Sequence, residues 1–284
     1  MRRTPVLLLI LIAGCGGTTT SSSILPPGTA TTTPSSSTSA PQAIGCPQDA
    51  EFIDEGRIAR ITQPSSDAKT LGLISIQTAE GCERFGFNFE TNENAPATTP
   101  PSIDGEFLAS GGIVRIQMDI DQTVLTDQLV ETPLVDRLFV VRSLDGSMFV
   151  DLHLARSARA RITVTNSPAG MTLELSPRDG QLPPSAAISD RLVLVTPRSE
   201  AVVDGPVVEV GGYARTFEAN VLVLATVGGE VVARTNTTAA DWVSTWGEFA
   251  TEIELPAGLD DLFVGEESPE NGSLTGVTLR LTVR

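Results

Sequence analysis

The sequence predicts an all-β protein of two β-sandwich domains that follow an export signal and a disordered linker. Beyond Gly45, apolar and β-branched residues alternate in short runs, which is the pattern of half-buried strands. Clusters of Gly, Pro, Asn and Asp separate these runs, and none of them keeps the 3.6-residue period of an amphipathic helix. A Pro- and Gly-rich break at Ser176–Ser185 divides the runs into two groups, and we expect the domain boundary there.

The N-terminus has the three parts of an export signal. Arg2 and Arg3 precede an apolar run, Val6–Ile12, which is too short to span a bilayer. The residues that follow it, up to Cys15, resemble the lipobox of bacterial lipoproteins. The resemblance implies that residues 1–14 are a lipoprotein signal peptide and that Cys15 carries the lipid, palmitate included. The mature chain would then lie outside the cytoplasm, anchored to the cell membrane. An ordinary secretory signal with an incidental cysteine is the alternative.

Residues 15–43 are predicted to be a disordered tether. Thr, Ser, Pro, Gly and Ala dominate this segment, and such a composition offers too little apolar surface to offset the entropy of ordering. Its central stretch, Gly16–Pro41, has about 26 residues, and a flexible chain of that length has a root-mean-square span of roughly 25 to 30 Å. That reach would lift the folded part off the membrane.

The charge of the chain argues against nucleic acid as a partner. The sequence has 35 acidic and 19 basic residues, for a formal net charge of −16, and the resulting field repels polyanions.

The two cysteines other than Cys15 are predicted to pair. With Cys15 lipidated, Cys46 and Cys82 remain in an oxidising compartment, where a disulfide is expected. Two free thiols are the alternative, and a metal site is disfavoured because no histidine lies nearby.

Seven strands are predicted before the boundary and seven after it. The first group is Leu71–Thr78, Arg84–Glu90, Ile113–Ile120, Leu138–Ser143, Met148–Leu154, Ala160–Thr165 and Met171–Leu175. The second group is Arg191–Thr196, Val207–Tyr213, Asn220–Val227, Glu230–Asn236, Phe249–Leu255, Leu262–Glu267 and Val277–Val283. Asp145-Gly146 and Gly228-Gly229 are expected to form hairpin turns. Thr91–Asp104 is expected to be a surface loop, and a helical turn is expected at Thr126–Val130.

The second group carries a family resemblance. Residues 195–197, 206–221, 246–249 and 266–273 are similar, in order and spacing, to the immunoglobulin-like domain of bacterial spore germination. The resemblance covers residues 186–284 and implies an immunoglobulin-like sandwich on an exported envelope protein.

The first group resembles a different envelope domain. Residues 139–142, 144–154 and 164–175 look like the AMIN-like domain of actinobacterial lipoproteins, and the domain would span residues 44–178. The resemblance implies a sandwich that binds in the cell envelope, whose partners are peptidoglycan, another envelope glycan or envelope proteins. In that family the catalytic domain is separate.

The sequence offers little catalytic chemistry. His153 is the one histidine, and no phosphate-cradling glycine loop or clustered metal-ligand spacing occurs, so no catalytic residue, metal or cofactor is predicted. Asp151 and His153 share one face of a strand and would form the dyad of a cell-wall hydrolase, the alternative function. The favoured expectation places both on a solvated face, in a charge cluster with Arg159 and Arg161.

Five residues are candidates for ligand binding. Arg156, Arg159 and Arg161 form a local basic patch in an acidic chain, and the arginine fork suits the carboxylates of peptidoglycan stems. The favoured expectation for this patch is charge balance with Asp151 and neighbouring acids. Trp242 lies in a polar loop and could stack on sugar rings. His153 is the fifth candidate. The prediction is therefore a non-enzymatic, lipid-anchored envelope protein that acts by binding, in wall organisation or in sporulation and germination.

Overall fold

The all-β prediction is confirmed. The computed structural model describes residues 45–47, 51–108 and 112–284, and residues 43–284 form one compact unit. The predicted signal peptide, Cys15 and the predicted tether lie outside the described residues. Within the described ranges no helix has the length and apolar character needed to cross a membrane.

The described strands fall into an upstream and a downstream half. The upstream strands are β1 (Arg57–Ile61), β2 (Thr70–Ala79), β3 (Cys82–Glu90), β4 (Ile103–Leu108), β5 (Ile113–Met118), β6 (Gln122–Thr123), β7 (Asp127–Leu129), β8 (Val135–Arg142), β9 (Met148–Leu154), β10 (Ala158–Thr165) and β11 (Gly170–Pro177). The downstream strands are β12 (Ala187–Ile188), β13 (Leu192–Thr196), β14 (Val202–Val203), β15 (Val207–Ala214), β16 (Asn220–Val227), β17 (Glu230–Thr238), β18 (Trp246–Glu254), β19 (Gly258–Glu267) and β20 (Leu274–Val283). A 3₁₀ turn, Phe217–Ala219, precedes β16.

These strands build three sheets, one of which runs through both halves. The shared sheet has the order β1-β4-β5-β9-β8-β18-β15-β13-β12, with β7 paired to β8. The upstream sheet has the order β10-β11-β3-β2-β6, and the downstream sheet has the order β14-β20-β19-β16-β17. Strands β8 and β18 pair in parallel, with Trp246 opposite Val141. The two halves are therefore joined by main-chain hydrogen bonds as well as by side chains.

Two hydrophobic cores define two sandwiches. Phe85 and Leu173 of the upstream sheet pack with Val150 of the shared sheet in the first core. In the second core, Val223 of the downstream sheet packs with Phe249 of the shared sheet. Buried positions alternate with partly or fully exposed ones along β3 and β5, which is the pattern expected of strands with one covered face.

Every residue of β9 is buried, which corrects one expectation. Asp151 and His153 do not lie on a solvated face beside Arg159 and Arg161: Asp151 is fully buried, and only 7% of His153 is exposed. The reason is the shared sheet. One face of β9 contacts the upstream core, and the other face, with Phe149, contributes to a third apolar cluster that contains residues of both halves.

The predicted strands all occur, and the strands that were not predicted are β4 inside the shared sheet and the shorter elements β1, β6, β7, β12 and β14. The expected helical turn at Thr126–Val130 is wrong, because Asp127–Leu129 is an edge strand paired to β8. The expected loop Thr91–Asp104 ends two residues early, where β4 begins at Ile103. The hairpin turns at Gly146 and Gly228-Gly229 adopt positive φ, the conformation that favours glycine.

Candidate binding site at the junction of the two sandwiches

An aromatic cluster forms the interior of the junction. Phe139 of β8 lies 5.1 Å from Tyr213 of β15 and 5.1 Å from Trp246 of β18, measured between ring centroids. The Phe139–Trp246 pair is edge-to-face, a favourable arrangement of aromatic quadrupoles. All three side chains are buried. The cluster therefore fills the interface between the halves with buried side chains.

A buried ion pair lies beside this cluster. Arg115 donates two hydrogen bonds to Asp151, at 2.8 and 2.7 Å, and its guanidinium lies 3.7 Å from the centroid of Phe149. Glu248 of the downstream half lies 3.5 Å from the same guanidinium and accepts a hydrogen bond from Ser143 at 2.7 Å. Burial alone would lower the pKa of Arg115, but the two carboxylates outweigh it and raise the pKa.

His153 shares a hydrogen bond with Tyr213 across the junction. Burial, followed by the nearby charges of Arg198, Arg137 and Arg115, lowers the pKa of His153 to about 3. Burial likewise raises the pKa of the Tyr213 phenol. Both groups are therefore neutral near pH 7. Asp151 bonds to Arg115 and His153 bonds to Tyr213, so the two residues are held by different partners.

A surface cleft opens next to the cluster, with a volume of about 410 Å³. This size is within the range of small-molecule sites. Side chains from both halves line it: Asp127, Arg137, Asp190, Arg191, Arg215, Phe217, Trp242 and Trp246. Trp246 is buried, whereas Trp242 is 39% exposed and Phe217 is 50% exposed. The Trp242 and Phe217 rings lie 5.9 Å apart, edge-to-face, and offer an exposed aromatic surface.

Local hydrogen bonds position both exposed rings. The Asp241 side chain accepts hydrogen bonds from the backbone N–H groups of Val243 and Ser244, at 2.9 and 3.0 Å, which fixes the turn carrying Trp242. The backbone N–H of Phe217 donates to Glu266 at 2.7 Å. Because acidic side chains bind the backbone of both turns, the backbone that carries the two rings is fixed before any ligand arrives.

The charges of the cleft are three guanidiniums against two carboxylates. Asp127 accepts hydrogen bonds from Arg137 at 2.7 Å and from the Trp246 indole at 3.2 Å. Burial would raise the pKa of Asp127, but these hydrogen bonds outweigh it and lower the pKa. Arg191 lies 3.4 Å from Glu266, while Arg215 takes part in none of the salt bridges found among the described residues. The cleft thus has a guanidinium free for an anionic group in an acidic protein.

The five predicted binding residues lie in three places. Trp242 lines the cleft, and His153 lies buried in the junction. Arg156 lies exposed between β9 and β10. Arg159 and Arg161 lie together on the upstream sheet, 5.2 and 6.0 Å from the centroid of the Phe52 ring.

The expected charge balance of this patch is provided by a neighbouring acid and not by Asp151. Arg161 pairs with Glu174 at 2.5 Å, whereas Asp151 pairs with Arg115. Glu174 also accepts a hydrogen bond from Arg84 at 2.7 Å. The predicted disulfide between Cys46 and Cys82 is present.

Most of the cleft was not predicted. Arg191, Arg215 and Phe217 come from segments before β13 and around the 3₁₀ turn, and they converge only because β13 and β15 are neighbours in the sheet. Asp127 and Arg137 reach them because β8 pairs with β18. The one sequence signal was Phe217 itself, an aromatic residue in a polar segment.

The comparison with protein families bears on the downstream half. Residues 192–273 match the model of the immunoglobulin-like domain of bacterial spore germination, which confirms the resemblance drawn from the sequence. The chain matches no curated protein and no solved structure significantly.

Proposed function

We propose that this protein is a non-enzymatic, lipid-anchored component of the bacterial cell envelope that binds peptidoglycan in the cleft between its two sandwiches. One observation carries the proposal: an exposed aromatic pair, Trp242 and Phe217, lies in a cleft with the unpaired guanidinium of Arg215. Aromatic rings stack on the apolar faces of sugars, and guanidinium groups bind carboxylates in a fork geometry. Peptidoglycan presents sugar rings and carboxylates side by side.

Other features support the same role. The downstream half matches a spore germination domain, and the lipobox and tether would place both sandwiches outside the membrane, in wall organisation or in sporulation and germination. The upstream half is proposed to be the AMIN-like domain that its sequence resembles. The net charge of −16 disfavours nucleic acid.

The hydrolase alternative, with Asp151 and His153 as a dyad, has less support. Both side chains are buried, and each is engaged by another residue. A general base needs reach to a substrate proton and a pKa near the working pH, and a histidine with a pKa of about 3 is a poor base in a site closed to solvent.

The proposal is tested by sedimentation of the full-length protein with purified, insoluble peptidoglycan. The wild type should cosediment, and the variant Trp242→Ala/Arg215→Gln should stay in the supernatant. Arg280→Gln is the matched control, because Arg280 is 63% exposed on the downstream sheet and does not line the cleft. Equal sedimentation of the cleft variant and the wild type would place the binding surface elsewhere. Failure of the wild type to sediment would reject peptidoglycan and favour an envelope protein as the partner.

A further inference from the structure

A second, smaller cavity shares Arg137 with the cleft. Its volume is about 60 Å³, which is enough for a small ion with one or more water molecules. Arg137 and His153 of the upstream half and Arg198 of the downstream half contribute polar groups to it. Leu154 and Leu182 are among its apolar walls.

The cavity contains hydrogen-bond donors that lack acceptors. Nε and Nη2 of Arg198 and Nε of Arg137 are buried and have no hydrogen-bond partner among the residues that the structure describes. The remaining Arg198 donor, Nη1, bonds to the carbonyl oxygen of Pro184 at 2.6 Å. Buried polar groups are nearly always hydrogen-bonded, so three unpartnered donor atoms on two residues that line the same cavity favour an acceptor inside it.

The charge around the cavity is also unbalanced. Arg137 pairs with Asp127 at 2.7 Å, but Arg198 forms no salt bridge with any residue that the structure describes. His153 and Tyr213 are neutral and add no compensating charge. Asp136 lines the cavity mouth, yet it is exposed and lies beyond 4 Å of both guanidiniums. A guanidinium with buried, unpaired N–H groups is costly.

We propose that this cavity is a binding site for a small monovalent anion of the halide class, held between Arg198 and Arg137. A spherical anion accepts hydrogen bonds from several directions and supplies the missing negative charge. The small volume and the leucine walls disfavour larger, strongly hydrated oxyanions. Because Arg198 belongs to the downstream half and Arg137 to the upstream half, the anion would link the two sandwiches. The site shares Arg137 with the cleft proposed to bind peptidoglycan, whereas Arg198 lines only the cavity.

The test measures the midpoint of thermal unfolding, Tm, of the full-length protein in sodium chloride and in sodium gluconate at equal ionic strength. Chloride should raise the Tm of the wild type saturably, by about 2 to 4 °C for a domain of this size. Arg198→Gln should abolish the difference between the two salts. Arg280→Gln and Asp136→Asn should keep it, the latter because Asp136 is not the counter-ion. Equal Tm values for the wild type in both salts would overturn the proposal and leave a water-filled cavity.

A direct measurement covers the case in which Arg198→Gln does not fold. Crystals of the wild-type protein soaked in sodium bromide should give an anomalous peak between Arg198 and Arg137. Bromide peaks confined to the surface would overturn the proposal.

Discussion

Because the chain has one histidine, the pH dependence of stability tests whether His153 is buried and neutral at the junction. His153 is neutral in the fold, with a pKa of about 3, whereas an exposed histidine in the unfolded chain has a pKa of about 6.5. Between these values the unfolded state binds more protons than the folded state. The contribution of His153 is therefore fully present above pH 6.5 and is lost progressively as the pH falls towards 3. At pH 5 the loss relative to pH 7 should be about 2 kcal/mol.

The assay is urea unfolding at pH 7 and pH 5, with His153→Gln as the matched variant. The ionic strength is held constant so that exposed ion pairs contribute equally. Asp127 and Asp145 have lowered pKa values and stay ionised in this interval, and the sequence has no second histidine. The wild type should lose stability between pH 7 and pH 5, and His153→Gln should lose much less. An unchanged free energy of unfolding in the wild type, or the same loss in the variant, would refute a neutral, buried His153.

Three further substitutions test other parts of the fold by chemical denaturation. Gly247→Ala should destabilise the protein by about 3 kcal/mol, because its Cβ would lie 2.1 Å from a backbone nitrogen of the facing turn; wild-type stability would contradict this close approach. Replacing Cys46 and Cys82 by Ser should cost about 3 to 4 kcal/mol, since the disulfide closes a loop with a sequence separation of 36; a variant as stable as the wild type would show that the bridge adds nothing. Arg115→Met should cost about 3 to 5 kcal/mol, because it leaves the buried Asp151 carboxylate without its partner. Arg280→Met removes an exposed pair and should cost no more than about 1 kcal/mol. Equal losses of stability in the two variants would contradict the burial of Asp151.

Local pattern predicted the strands well but not their assembly. Met148–Leu154 was predicted with both ends correct, because apolar alternation along one strand is a local signal. The same alternation suggested that one face of this strand is solvated. A half-buried strand and a strand covered on both faces by different sandwiches can have the same sequence pattern. The pairing of β8 with β18 joins residues more than one hundred positions apart, and no local pattern encodes it.

In the candidate site, too, the sequence predicted features that are local and missed those that depend on how the strands assemble. Trp242 was identified because an aromatic residue in a polar loop stands out locally. Arg191 and Arg215 were not identified, since their convergence depends on the register of β13 and β15. The basic patch was identified by its spacing, but its partners, Phe52 and Glu174, come from distant segments.

The proposed function rests on the cleft, and an affinity measured by calorimetry tests the cleft most directly. The full-length protein is titrated with a soluble disaccharide-peptide fragment of peptidoglycan. The wild type should bind, Trp242→Ala should bind on the order of five- to tenfold more weakly, and Arg280→Gln should match the wild type. Equal affinities of the wild type and Trp242→Ala for this fragment would contradict a glycan site between the two sandwiches.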